Sequence, residues 1–141
     1  MSFISHSIEQ THHYAADVAA QLQGGEIIGL EGDLGSGKTT FVQGLAVALG
    51  IEGPVRSPTF VLMHVYPIEN HPTIHHLVHM DGYRIEKPTD VMHLGLDEWV
   101  GRTDVVICIE WPRVMESGGI PFTKRFRFVY QDEGTRTIEE V

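Results

Sequence analysis

Apolar positions along this chain switch between a helical and a strand-like period. Near the start, Ala15, Val18, Ala19 and Leu22 recur at helical spacing. Ser7 is placed to cap that helix, Gln10 stands at the capping-box position, and Gly24-Gly25 ends it. Glu26 to Glu31 then reads as a short buried strand. Helical spacing returns from Thr40 to Leu49, with Phe41, Val42, Leu45, Ala46 and Leu49 on one side and Gly50 as the stop. A linker from Ile51 to Pro58 carries two prolines. Beyond it the apolar runs have strand length. Thr59 to Tyr66 closes at Pro67, and Ile74 to Met80 closes at Asp81. Asp104 to Trp111 is the most hydrophobic, with Glu110 at its end, and Phe122 to Tyr130 and Arg136 to Val141 follow. Short helical pieces are predicted at Thr89 to Leu94 and Asp97 to Val100, around Gly95.

The turn between the first strand and the second helix carries chemistry. Gly32-Asp33-Leu34-Gly35-Ser36-Gly37-Lys38-Thr39 fits the phosphate-loop pattern G-x-x-x-x-G-K-[ST] at every fixed position. Strand, glycine loop, helix is the context this pattern needs, because the helix N-terminus then faces the anion. It predicts a site for a nucleoside triphosphate, ATP or its product ADP, with Mg2+. Asp33, Leu34, Gly35, Ser36, Gly37, Lys38, Thr39 and Thr40 form the candidate cradle. Lys38 would reach the β- and γ-phosphates, and the Thr39 hydroxyl would bind Mg2+. A plain glycine turn ahead of a helix is the alternative, and the flanking strand and helix oppose it.

Hydrolysis also needs a metal ligand and a group that orients water. Glu110 ends Val105-Val106-Ile107-Cys108-Ile109, an apolar run followed by an acid, where Asp is the more usual residue. Asp81 ends Leu77-Val78-His79-Met80. In a parallel sheet ligands gather beyond the carboxyl ends of the strands, so both acids would face the phosphate loop. The plainer reading is that each caps the turn after its strand. The expected fold is α/β: a single P-loop domain spanning 1–141. Its mixed, mostly parallel sheet is flanked by helices, parallel around the nucleotide and antiparallel toward one edge.

Composition narrows the partners. The 141 residues are 42% hydrophobic and 21% charged, values of an ordinary globular chain. Ten basic against nineteen acidic residues give a net charge of −9, which opposes direct, non-specific binding to nucleic acid or a membrane surface. Cys108 is the only cysteine and reads as a buried core thiol. Met1 to Gln10 has no signal-peptide run, and no stretch approaches a membrane span, which predicts a cytoplasmic protein. The nine histidines include the adjacent pairs His12-His13 and His75-His76, with no metal-ligand spacing. Lys124-Arg125-Phe126-Arg127-Phe128 could contact RNA, but an edge strand protected by charge is preferred. No arginine is placed by its sequence context over the phosphates.

Five motifs occur in order: GDLGSGKTT (Gly32 to Thr40), Ser57-Pro58-Thr59-Phe60, His79-x-Asp81-x-Tyr83-Arg84, Leu94-Gly95-Leu96-Asp97-Glu98 and Glu110-Trp111-Pro112. The set resembles the TsaE (YjeE) family, bacterial P-loop ATPases of the tRNA threonylcarbamoyladenosine pathway, from about Leu30 to Arg113. The phosphate loop is generic and the ordered remainder is specific. The resemblance implies a switch-like loop at Ser57 and Thr59 near the γ-phosphate. It implies Glu110 on Mg2+, directly or through water, and Asp81 in the metal shell or on the attacking water, with the reverse assignment open. Trp111 would pack near the nucleotide or in the core. Tyr83, Arg84 and Arg113 would meet a partner or phosphate charge, or belong to the surface. Gly82 departs from a family preference for a larger apolar residue. The implied activity is a weak ATPase that assists a TsaB–TsaD complex in threonylcarbamoyl transfer to tRNA adenosine, touching tRNA only indirectly. A small-molecule kinase would want an arginine-bearing lid, and seven arginines with no such insertion oppose it. A GTP switch would want Asn-Lys-x-Asp, yet the one asparagine, Asn70, precedes His71. A binder without hydrolysis is the remaining class.

Overall fold

The structure is a computed structural model that describes residues 2–33, 35–56, 63–82, 95–111 and 120–141. Seven strands form one sheet in the order β1-β7-β6-β2-β5-β4-β3. They are β1 (Ser2–Ser5), β2 (Ile27–Glu31), β3 (Met63–Pro67), β4 (His76–Asp81), β5 (Val105–Trp111), β6 (Lys124–Asp132) and β7 (Thr135–Glu140). Two α-helices, α1 (Ile8–Ala19) and α2 (Lys38–Ala48), precede β2 and β3 respectively. Every residue of β2 is buried, as the middle strand of a sheet covered on both faces requires. Strands β6, β2, β5 and β4 run parallel. Antiparallel pairing occurs at both edges rather than one, through β1–β7–β6 on one side and β3–β4 on the other.

The core divides by strand alternation. Ile28, Leu30, Val106, Cys108, Phe126 and Phe128 meet the two helices. Ile27, Val78, Met80, Val105, Ile107 and Ile109 face the other way, toward Leu96, Trp99, Ile120 and Phe122. Among the described residues both α-helices therefore lie on one face. A 3-10 turn at Leu96–Glu98 helps to cover the second. Cys108 is buried, and desolvation, reinforced by the charge of Glu110, holds its thiol well above the usual range. No helix among the described residues is long and apolar enough to cross a membrane.

The capping box forms with one displacement. Ser7 Oγ accepts from Gln10 N at 3.1 Å, while Gln10 Oε1 accepts from His6 N rather than from Ser7 N. This fixes the turn from β1 into α1. Phe3 of β1 stacks on Tyr14 of α1, with ring centroids 4.7 Å apart, and so holds the edge strand to the helix layer.

One expectation fails. β6 is an interior strand between β7 and β2, so the basic run Lys124 to Arg127 is not edge protection. Arg125 donates to the carboxylate of Glu31, which is fully buried beside the phosphate loop, and Arg127 lies 3.8 Å from the same group. The arginines neutralise a buried acid that would otherwise be costly to desolvate.

Helix α2 crosses α1 at Gly44, where an added Cβ would lie 2.8 Å from Ala15 Cβ and 2.9 Å from His12 Cα. Gly44→Ala would gain about 1 kcal/mol of helix propensity in an open helix. Here overpacking against backbone outweighs it, and a net loss of about 1–2 kcal/mol is expected. Urea unfolding that shows a more stable variant would contradict this close crossing.

Candidate functional site

The phosphate loop leaves β2 at Gly32 and enters α2 at Lys38. At Gly32 a Cβ would lie 2.6 Å from the Phe128 carbonyl oxygen and 2.7 Å from Ser36 Oγ, so only glycine fits. Gly37 is the N-cap of α2 with φ of 106°, a left-handed value, and as a glycine it brings no capping side chain to the first amides of that helix. Those amides are suitable anion donors. Lys38 is buried. Its Nζ donates to the carbonyls of Gly32 and Asp33, the latter at 2.9 Å, and approaches Ser36 Oγ at 3.4 Å. Burial lowers the pKa of its ammonium, opposed by the charges of Glu110, Asp33 and Asp81.

The two predicted acids meet the loop. Asp81 and Glu110 are register partners on the parallel strands β4 and β5, so their side chains leave the same face. Both are buried, and both line a cleft of about 390 Å³ with Gly35, Gly37, Lys38 and Thr39. Thr39 Oγ1 donates to the Glu110 carboxylate, 3.1 and 3.2 Å from its two oxygens. A threonine hydroxyl beside two carboxylates is a hard-oxygen set that suits Mg2+ with phosphate and water completing the shell. Among the described residues no three His, Cys, Asp or Glu side chains converge as a self-sufficient metal cage. Gly82, the position that departs from the family preference, donates its N–H to the Glu110 carbonyl at 2.6 Å. The chain leaving Asp81 is thereby pinned at its start.

Two residues have contacts in the site that the sequence reading does not assign, although His79 stands in one of its motifs. His79, fully buried, bonds through Nε2 to Glu110 Oε2. With Thr39 on the same carboxylate, it fixes the direction of the Glu110 oxygens. Its signal was a histidine inside an apolar strand, two residues before an acid and therefore on the same face. Arg136 is the second. Its Nε donates to the Gly35 carbonyl at 3.1 Å, so an arginine of β7 does touch the phosphate loop. Nothing in its polar run, Glu133 to Thr137, signals that contact. Asp33, Gly35, Ser36, Gly37 and Thr40 lie on the loop or the first turn of α2, as expected. Leu34, Ser57, Thr59, Tyr83, Arg84, Arg113, the helical piece at Thr89 to Leu94 and the side chain of Trp111 lie outside the described residues.

His79→Ala should release the Glu110 carboxylate. The expected result is roughly tenfold weaker Mg2+ dependence of nucleotide binding, within the range of lost outer-shell contacts, with metal-free nucleotide affinity unchanged. A magnesium titration followed by calorimetry checks it, and an unaltered Mg2+ requirement in a folded variant would count against the orienting role.

A sheet that is parallel at its centre, with a glycine loop joining its middle strand to a helix and acids ending the neighbouring strands, defines a P-loop-type nucleotide-binding protein. A family model described as "Threonylcarbamoyl adenosine biosynthesis protein TsaE" matches residues 5–138. The chain belongs to the TsaE family. A Nostoc protein named tRNA threonylcarbamoyladenosine biosynthesis protein TsaE is 38% identical over 134 residues, covering 93% of this chain and 79% of the relative. The protein of that name from Treponema pallidum is 36% identical over 138 residues, covering 98% of each. The crystal structure of Bacillus subtilis YdiB superposes with a TM-score of 0.74 at 30% identity, covering 98% of this chain and 82% of that one.

Proposed function

We propose that this protein binds ATP with Mg2+ and hydrolyses it while assisting a TsaB–TsaD complex in threonylcarbamoyl transfer to adenosine in tRNA. Family membership supports the part in threonylcarbamoyladenosine biosynthesis. The observation that carries the ATP reading is the direct contact between Thr39 of the phosphate loop and Glu110 at the end of β5. It joins the phosphate loop to a carboxylate of a type suited to a metal. In this reading the amides at the start of α2 hold the phosphate chain, and Lys38 turns from its loop carbonyls to the β- and γ-phosphates. Thr39 and Glu110 would hold Mg2+, which would supply positive charge for the phosphate oxygens. Asp81, one strand further out, orients the attacking water. The site of action is the cytoplasm, where ATP and tRNA are available. The chain itself transfers no threonylcarbamoyl group.

Small P-loop proteins hydrolyse slowly until a partner orders a switch or adds a charge. Hydrolysis by the isolated chain should therefore be weak, and TsaB–TsaD homologues should bind it most tightly in one nucleotide state. Titrating that pair with the chain in ATP analogue, ADP or no nucleotide is the test. Equal affinity in all three would remove the nucleotide switch, and no association in any would remove the partner.

A further inference from the structure

Glu31 is an acid where the packing asks for none. It is the last residue of β2 and stands directly before Gly32. Ile28 and Leu30 meet the helices, so Glu31 follows Ile27 and Gly29 onto the other face, whose core is apolar. It stays out of the cleft, which Glu110 and Asp81 line from the helix face. The side chain is fully buried, and a carboxylate so placed is costly unless it is paired.

Its pairing ties the loop to β6. Arg125 stands opposite Gly29 in register and reaches diagonally to Glu31, donating through Nη2 to Oε1. The Phe122 ring fills the space above Gly29, where an added Cβ would lie 3.0 Å from it, and the Arg125 guanidinium lies 5.7 Å from the centre of that ring. Arg127 is the register partner of Glu31, and its Nε lies 3.8 Å from Oε2. Neither of these two buried atoms has a hydrogen-bond partner among the described residues, and Arg127 is shared with Glu139 at 3.9 Å. One residue further along both strands, Gly32 packs against the Phe128 carbonyl, and Lys38 Nζ donates to the Gly32 carbonyl. Glu31 by its side chain and Gly32 by its backbone are therefore both fastened to β6, and Gly32 supplies an oxygen that holds Lys38.

We propose that Glu31 is a positioning residue for the phosphate loop. Held by Arg125 and Arg127, it fixes the direction in which the chain leaves β2, and with it the place of the Gly32 carbonyl and of the Lys38 ammonium. The proposal rests on the phosphate-loop reading above. A merely structural ion pair would lower stability and leave the nucleotide affinity of the folded protein unchanged. The test is therefore a double-mutant cycle read by calorimetry with ATP and Mg2+, with circular dichroism as the check on folding. Glu31→Gln keeps the shape and removes the charge. It should weaken ATP binding about tenfold. Lys38→Ala, which should cost about 100-fold in the parent, should cost only about tenfold in the Glu31→Gln background, because Lys38 is already out of place there. Arg127→Gln is the second variant, at a half-exposed side chain that the fold can lose. It should weaken ATP binding about threefold, and that loss should vanish in the Lys38→Ala background. Parental ATP affinity in folded Glu31→Gln, or in Arg127→Gln where Glu31→Gln does not fold, would overturn the positioning role and leave the phosphate loop in place. Losses that simply multiply with that of Lys38→Ala would do the same. Parental affinity in Lys38→Ala, or no ATP binding by the parent, would overturn the phosphate-loop reading and the positioning role together.

Discussion

Lys38→Ala is expected to weaken ATP binding about 100-fold, equivalent to about 2.8 kcal/mol, and to bring hydrolysis close to background. Lys38 is buried among the carbonyls of Gly32 and Asp33, so its ammonium already lies within the loop that would hold the phosphates. Burial disfavours that charge, as its lowered pKa records. A triphosphate would add its negative charge to those of Glu110, Asp33 and Asp81, and the interaction is strong because the groups are withdrawn from water. Removing the ammonium deletes this attraction and leaves the loop carbonyls facing the anion. The fold should tolerate the change, because the exposed carbonyls can be hydrated at the mouth of the cleft. Calorimetry on the variant, with circular dichroism as a check on folding, is the measurement. ATP affinity equal to that of the parent would sink the phosphate-loop assignment.

The second large effect separates chemistry from binding. Glu110→Ala and Asp81→Ala should each lower the hydrolysis rate about 100- to 1,000-fold, the cost typical of removing a group that acts on transition-state charge. ADP affinity should change by only a few-fold, because the amides of the loop and of α2 are untouched. The geometry distinguishes the two positions. Glu110 is bound by Thr39 and His79, so its loss also frees both of those side chains. Glu110→Gln keeps the shape and can still accept from Thr39, so a rate as low as that of the alanine variant would assign the effect to charge. Hydrolysis at the parental rate in both Asp81→Ala and Glu110→Ala would remove these carboxylates from the mechanism.

Much of this site is legible in the sequence because its parts obey local rules. The glycine loop, the strand before it and the helix after it are contiguous. Asp81 and Glu110 each end an apolar run, and the carboxyl-end rule for parallel strands is enough to bring them to the loop. What stayed hidden depends on pairing between distant segments. β1 is four residues long with a single fully buried side chain, Ser5, so no apolar alternation announces it. The arginines of β6 looked like edge protection because their partner, Glu31, lies on another strand far back in the sequence. His79 carried no ligand spacing, since its partner is a single carboxylate on β5. Arg136 reaches Gly35 only because β7 folds back along β6.

The position of β2 in the sheet also bears on how the chain acquires its activity during synthesis. Ile28 pairs with Cys108 on one side and with Lys124 on the other, and the Gly32 turn packs against Phe128. Emerging from the ribosome N-terminus first, the loop-bearing strand has neither neighbour until most of the chain has been made. Contacts of such long sequence separation form slowly, and the unpaired strand edge is exposed to aggregation in the meantime. A nascent chain that stops after β5 would carry the whole glycine motif and still lack the carbonyl wall and the Arg136 tie that shape it. Nucleotide is therefore expected to act as a folding ligand only once β6 and β7 have been made.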